Sequence, residues 1–302
     1  MFGPHIGVAG HSDYPGYVVA GSASSVMIDA GLSFLGPLYI EALDSILGSA
    51  DRLGMLVLTH SHYDHLGATP YLKTRLARLK TGGHGYLKTL LSKSTVLERM
   101  NELNEIQRER YGGFSKGENV SLVPFDLDIE LAGGMEFDLG GITCRVLATP
   151  GHTRDSLSFY FPEIGALFAG EAVGVPEGDN GEDVQVEFLS SYDDYLESLA
   201  MLTDLGPKLL GLGHAWVFTD DDARQYLEKS LTATERYRDL ILEYLDRHCG
   251  DEALTVAAMV THEYDAKGTI FQERNAYITN LRAQVALVAG MGLGKGANLI
   301  NK

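Results

Sequence analysis

The sequence predicts an α/β fold followed by a helical tail. Three observations carry that reading. Short runs of β-branched and apolar residues, bounded by Gly and Pro, recur through the first 219 residues. Segments with helical spacing lie between them, and after Thr219 only helical periodicity remains. The chain has 302 residues, of which 45% are hydrophobic and 22% charged, a composition that excludes disorder and fibre. No self-similarity at a 20–50-residue period points to a repeat array.

The elements follow in order. YVVAG (17–21) and SSVMIDAG (24–31) read as paired strands, and LYIEALDSIL (38–47) has helical spacing. MLVLT (55–59) is a short continuous apolar run, as expected of a strand buried on both faces. Residues 70–79 and 83–111 read as helices, the second long and polar. VSLVPFD (120–126), GMEFDL (134–139) and GITCRVLAT (141–149) return to strand character, and LSFYFPEIGALFAG (157–170) reads as two strands around a turn. Residues 192–204 form a helix and PKLLGLGH (207–214) another buried strand. Residues 1–219 are therefore expected to form one α/β domain and residues 220–302 a helical extension. In that extension Ala223, Leu227 and Leu231 recur four apart, as do Ile241 and Leu245, and Gly250 supplies a stop. A second helix follows Asp251. A third is expected to open at Thr269, with Gln272 completing a capping box, and to close near Gly290. The GMGLGKGAN tail has the wrong spacing for a phosphate loop and reads as a frayed terminus.

Charge and composition narrow the function. The net charge of -17 opposes docking on nucleic acid or an anionic membrane. The distribution is uneven: residues 73–116 carry ten basic and four acidic side chains, so that stretch is +6 and the rest -23. It reads as a solvated helical face or as a patch that attracts anions. Residues 171–197 hold nine acids and no base, mostly as a solvated loop. The N-terminus lacks a basic-then-apolar leader, and no run approaches the roughly 18 apolar residues of a membrane span. A cytoplasmic protein is expected. Cys144 and Cys249 read as reduced thiols.

Chemistry concentrates in Thr59-His60-Ser61-His62-Tyr63-Asp64-His65-Leu66-Gly67, directly after a buried strand. Imidazole and carboxylate are the donors that borderline cations such as Zn²⁺ prefer. His60 and His62, two apart on an extended strand end, point the same way; Asp64 and His65 fall on the turn into the next helix and can serve a neighbouring ion. His152 in Thr149-Pro150-Gly151-His152, Glu171 in Phe168-Ala169-Gly170-Glu171 and His214 in Gly213-His214 repeat the context, each just past a buried strand. Sheets with parallel strands place their ligands there.

On these residues the sequence resembles the metallo-β-lactamase superfamily of hydrolases, from about residue 15 to residue 219. The HxHxDH signature matches His60, His62, Asp64 and His65; later family ligands match His152 and His214, and the bridging acid aligns with Glu171. The resemblance implies an αββα sandwich with two divalent metals about 3.5 Å apart. His60, His62 and His152 would hold one metal, Asp64, His65 and His214 the other, and Glu171 would join them. Zinc is the first choice, with iron or manganese as alternatives. Asp29 in Ile28-Asp29-Ala30-Gly31 resembles the family's aspartate behind a ligand histidine. One departure stands out: the family has Asp at the bridge, whereas this chain has the longer Glu171.

A bound divalent cation lowers the pKa of its water from 15.7 towards about 7, so hydrolysis needs no Ser-His-Asp set. Asp64 can ligate and orient the nucleophile. The organisation around GHTRDSLSFY and the helices after His214 resembles the quinolone-signal response thioesterase and its relatives. That implies hydrolysis of a small ester, thioester or lactone under a helical cap, which related hydrolases place over the metal cleft or in a homodimer contact. The alternatives are a sulfur dioxygenase with one iron and a ligand sensor that keeps the fold. No nucleic acid or membrane partner is expected. His262-Glu263 reads as a surface pair, so no ligand is assigned to the tail.

Overall fold

A computed structural model describes residues 3–178 and 181–296, the side chains of 292–296 excepted. The chain forms two compact units. The first comprises Met1–Thr149, Asp155–Gly170 and Pro207–Ala223; the second comprises Pro150–Arg154, Glu171–Gly206 and Arg224–Lys302.

The first unit opens with β1 (Ile6–His11), β2 (Tyr14–Ala20) and β3 (Ser25–Ile28), then α1 (Gly36–Leu47), β4 (Met55–Val57), α2 (Tyr63–Leu66), α3 (Thr69–Arg75), β5 (Lys80–His84), α4 (Tyr86–Leu91), α5 (Ser94–Tyr111) and β6 (Ile129–Leu131). The six strands make one sheet in sequence order. Hairpin pairing is antiparallel from β1 to β3, with Tyr17 opposite Ile28, and parallel from β3 to β6, with Val26 opposite Met55. Next come β7 (Glu136–Asp138), β8 (Thr143–Ala148), β9 (Leu157–Phe161) and β10 (Ala166–Phe168). The hairpin β11 (Val175–Glu177) and β12 (Asp183–Gln185) and the helix α6 (Tyr192–Asp204) belong to the second unit. With β13 (Leu209–Gly211) and β14 (Val217–Thr219), the second sheet of the described residues runs in the order β14-β13-β10-β9-β8-β7, with β10 and β13 paired in parallel.

Alternation along the strands builds two cores in this unit. Tyr17, Val19, Val26, Ile28 and Val57 pack with Cys144, Val146, Phe159, Phe161 and Phe168 between the sheets. Val18, Met27 and Leu56 point the other way, onto Tyr39, Leu43, Leu72 and Leu87 of the helices. Burial on both faces is why these strands read as continuous apolar runs. Phe159, Phe161 and Phe168 are fully buried, and truncating such a side chain to Ala typically costs about 3–5 kcal/mol.

The second unit is mainly helical: α6, then α7 (Asp220–Arg247) from Arg224 onward, α8 (Glu252–Met259) and α9 (Arg274–Gly296). Leu227, Ile241 and Leu245 are buried as their spacing requires. Gly250 ends the run at φ 81°, and Asp251 caps α8 by accepting from the Leu254 amide at 2.9 Å. Phe188 packs edge-on against Tyr192 and Tyr237, and the Ser230 hydroxyl donates to the Val173 carbonyl at 2.6 Å.

Several expectations need correction. Residues 80–84 are a strand, and a break at Ser92 and Lys93 divides α4 from α5 within the stretch read as one helix. Residues 120–126 form no strand, because Asn101 occupies the Leu122 backbone, donating to its carbonyl at 2.8 Å and accepting from its amide at 3.1 Å. The last helix opens at Arg274 rather than Thr269, since Glu273 accepts from the amides of Asn275 and Ala276 while the Gln272 side chain accepts from Gln185 instead. That helix continues through Gly296, so the frayed-terminus reading fails for Gly290–Gly296; Ala297 and Asn298 of the GMGLGKGAN segment, like Asp179 of the acidic run, lie outside the described residues.

Candidate metal centre

In the first unit the ligand loop is built on β3 and β4. Asp29, one residue past β3, has φ 62°, a left-handed conformation that Asp tolerates better than most residues. Its buried carboxylate accepts from the Thr59 amide (2.8 Å), the Thr59 hydroxyl (2.8 Å) and Nδ1 of His65 (2.9 Å). Having given its proton to Asp29, the Thr59 hydroxyl accepts from Nδ1 of His60 at 3.0 Å. One carboxylate thus sets the tautomer of two histidines and leaves Nε2 of each as the donor atom for a cation. His214 is treated the same way: its Nδ1 donates to the Asp13 carbonyl at 2.8 Å.

Close packing brings β13 to this loop. A Cβ on Gly213 would lie 2.9 Å from Cε1 of His65, so glycine there permits the approach. Ring centroids are 4.6 Å apart for His60 and His62, 4.1 Å for His60 and His65, and 5.1 Å for His65 and His214. Nε2 of His214 is 3.7 Å from an Asp64 oxygen, and the donor atoms of Asp64, His65 and His214 lie within 4.8 Å of one another. The donor atoms of His60 and His62 are equally close. Five of the seven residues predicted as ligands therefore converge within this unit.

The other two meet in the second unit. Gly151, at φ 129°, turns the segment ahead of His152, and its carbonyl accepts from the amides of Leu189, Ser190 and Ser191. A Cβ there would strike the Tyr195 backbone. His152 is buried; its Nδ1 donates to the Glu187 carbonyl at 2.7 Å, and its Nε2 lies 2.7 Å from a Glu171 oxygen. Burial opposes charge on this imidazole, yet the Glu171 and Glu187 carboxylates outweigh it and hold the pKa above the usual value. A positive charge at Nε2 compensates the buried carboxylate, a place that a cation fits as well as a proton does. In both units, then, a histidine nitrogen is tied back by an oxygen acceptor, the arrangement metal-ligating imidazoles require.

Some functional features were not legible in the sequence. The carbonyls of Asp13 and Glu187 carry no side-chain signature. Glu187, part of the acidic run, is buried rather than solvated, and β11 and β12 interrupt the expected loop. The basic stretch resolves toward internal pairing: Lys73 and Lys80 meet Asp128, Arg75 meets Glu118, Lys88 meets Glu130, and Arg99, Arg108 and Lys116 meet Glu102, Glu105 and Glu41. In the tail His262 and Glu263 both bond the Tyr244 hydroxyl.

Comparison with known proteins agrees with this geometry. The family described as the metallo-beta-lactamase superfamily matches residues 15–214. A metallo-beta-lactamase fold-containing protein of Sulfurisphaera tokodaii is 31% identical over 227 residues, 72% of this chain and 79% of that protein. The atrochrysone carboxyl ACP thioesterase of Aspergillus chevalieri is 24% identical over 81% of this chain and 65% of its own length. The hydroxyacylglutathione hydrolase of Methylococcus capsulatus is 29% identical over 51% of this chain and 44% of its own length. Among solved structures, a metallo-beta-lactamase family protein from Thermus thermophilus shares the fold over 97% of this chain and 95% of that one, with TM-score 0.65 at 18% identity.

Proposed function

Because this chain belongs to the metallo-β-lactamase superfamily, with that superfamily's mixed α/β sheets and a C-terminal helical region, we propose that it is a dinuclear metal-dependent hydrolase of a small ester, thioester or lactone. The observation that carries the reading is the anchoring of four histidines by Nδ1, to Asp29, Thr59, Asp13 and Glu187. Such an arrangement spends buried hydrogen bonds on presenting Nε2, which is useful to a bound cation. The proposal joins His60, His62, Asp64, His65 and His214 with His152 and Glu171 in one centre. The family match supports this, since residues 15–214 span all seven, as does the chain itself, in which Glu171 directly follows Gly170.

Zinc is the cation this mixed imidazole and carboxylate set favours, with iron and manganese compatible. When bound, the divalent ions would supply a Lewis acid and an acidified water. The protein's own part is positioning. Asp64, one of whose oxygens lies 3.7 Å from Nε2 of His214, would help hold the cation and orient the attacking water. Asp29 keeps His65 in the tautomer that faces the site. Two similar proteins, one named as an atrochrysone carboxyl ACP thioesterase and the other as a hydroxyacylglutathione hydrolase, support acyl substrates. The net charge of -17 supports a small molecule over a nucleic acid. Among the described residues no helix is long and apolar enough to cross a membrane, and both cysteines are free thiols, Cys144 buried and Cys249 exposed, which supports a cytoplasmic placement.

Elemental analysis of protein purified without chelator, joined to assays on acyl-thioester, lactone and phosphodiester panels, tests this reading. Nearly two metals per chain with thioester or lactone turnover is the expected result. One iron per chain with sulfur oxidation and no hydrolysis would replace it with the dioxygenase alternative.

A further inference from the structure

The C-terminal helix holds a backbone segment that in turn holds His152. On α9, Asn280 and Gln284 are four residues apart and share one face. Nδ2 of Asn280 donates to the Glu187 carboxylate at 3.1 Å, and Nε2 of Gln284 donates to the Val186 carbonyl at 2.7 Å. Gln284 is 2% exposed, and the Tyr237 hydroxyl of α7 donates to its Oε1 at 3.3 Å, which fixes the amide with its NH₂ toward Val186. The next carbonyl along, that of Glu187, receives Nδ1 of His152. All of these residues lie in the second unit.

From this relay we propose that Gln284, with Asn280, is a positioning residue for the metal ligand His152: the last helix sets the orientation of an imidazole more than 120 residues earlier in the chain. The inference rests on His152 being a ligand, as proposed above. A buried glutamine on a helix has no need to reach a strand-like carbonyl for helix stability, because the α9 backbone is already paired within the helix. An apolar residue of the same volume would fill the space at lower desolvation cost. What Gln284 does, and an apolar residue cannot, is hold the Val186 carbonyl, and with Asn280 on the Glu187 carboxylate this ties down the residue whose own carbonyl faces His152. Removing a group behind a ligand histidine typically lowers metal affinity about 10–100-fold.

The test uses the full chain carrying Gln284→Met together with Asn280→Ala, alongside Leu281→Ala as a control that loosens α9 without touching the relay; Leu281 is fully buried on the same helix. Zn²⁺ affinity is measured by competition with a chromophoric chelator, the visible spectrum of the Co²⁺-loaded protein is recorded, and thermal stability is followed on the metal-free form. Expected for the double variant are Zn²⁺ affinity lower by about 10–100-fold and a shifted Co²⁺ spectrum, with the Leu281→Ala spectrum matching the parent even where its metal-free stability falls. An unshifted spectrum with parental affinity in the double variant overturns the inference while leaving the metal centre intact. Equal spectral shifts in both variants overturn it as well, because general loosening would then explain the effect. If the parent chain binds neither ion, the proposed function itself fails and the inference with it.

Discussion

Behind His65 the oxygen acceptor is a side chain, Asp29, whereas behind His152 it is a backbone carbonyl, that of Glu187. The first anchor directly follows β3, the strand paired with β4 ahead of the ligand loop, so a few parallel ladder bonds and one carboxylate are enough to set Thr59, His60 and His65 together. The second depends on a segment tied to a distant helix. The difference teaches that the two ligand groups should fail differently: the loop through loss of a single residue's charge, the His152 segment through loss of support spread over α9 and α7.

The largest expected effects remove ligands outright. His60→Ala and His152→Ala should each lose about one metal and reduce hydrolysis by about 100–1,000-fold, the scale for losing a charge-stabilising group in an active site. Elemental analysis and steady-state kinetics check this. Full metal content in either variant would remove that residue from the ligand set.

Next comes the contrast between the anchors. Asp29→Ala should weaken metal binding about 10–100-fold. It should also lower stability by several kcal/mol, since about 1–3 kcal/mol attends each buried donor left without its acceptor, and Ala lacks the side-chain hydrogen bonding with which Asp tolerates φ 62°. Glu187→Ala keeps the carbonyl that His152 uses, so its effect on affinity should stay under about tenfold. Chelator competition and denaturant titration distinguish them, and equal affinity losses would erase the contrast. Asp29→Asn, which keeps an acceptor for the Thr59 amide and tolerates the left-handed backbone, should fall between.

A truncation sharpens the same point. Deleting residues 221–302 looks harmless to ligation from sequence, because no assigned ligand lies there. The deletion would remove Tyr237, Asn280 and Gln284, together with the buried Leu227, Ile241, Leu281 and Val285. Metal loss and aggregation are expected together. A soluble truncated chain with full metal content would show that the His152 segment needs no helical support.

The smallest effect lies in the basic stretch. Asp128 is partly desolvated, which alone would raise its pKa, but Lys73 and the Thr81 amide and hydroxyl outweigh that and hold its carboxyl well below the usual range. A depressed folded value means stability present above the unfolded pKa of about 3.9 and lost as pH falls toward the folded value. Asp128→Asn should therefore cost about 1 kcal/mol at neutral pH, and the gap should begin to close below about pH 4 and go on closing as pH falls toward the folded value. Melting temperatures of the two proteins against pH read this directly; a gap that persists in acid would assign the cost to hydrogen-bond geometry. Charge reversal at Arg75, whose partner Glu118 is exposed, should leave KM for a CoA thioester nearly unchanged.

The sequence determined what is chemically local. His60, His62, Asp64 and His65 lie within six residues, so their convergence needs only one turn, and the apolar runs before them announce strands because side chains buried on both faces leave no polar position to break the pattern. The boundaries of α6 at Tyr192 and Asp204 were legible for a similar reason, since its apolar face repeats with helical period. β5 was not legible: Lys80-Thr81-Gly82-Gly83-His84 has no apolar side chain, and the glycines are needed because a Cβ at Gly82 would meet Leu131 at 2.9 Å and one at Gly83 would meet Leu87 at 2.7 Å. Only tertiary structure decided which oxygens stand behind the histidines. Two of the four acceptors, at Asp13 and Glu187, are main-chain carbonyls, which every residue possesses, and the residues that aim the second of them lie about 100 places away on α9. No residue type marks such a role, so it exists only once the chain has folded.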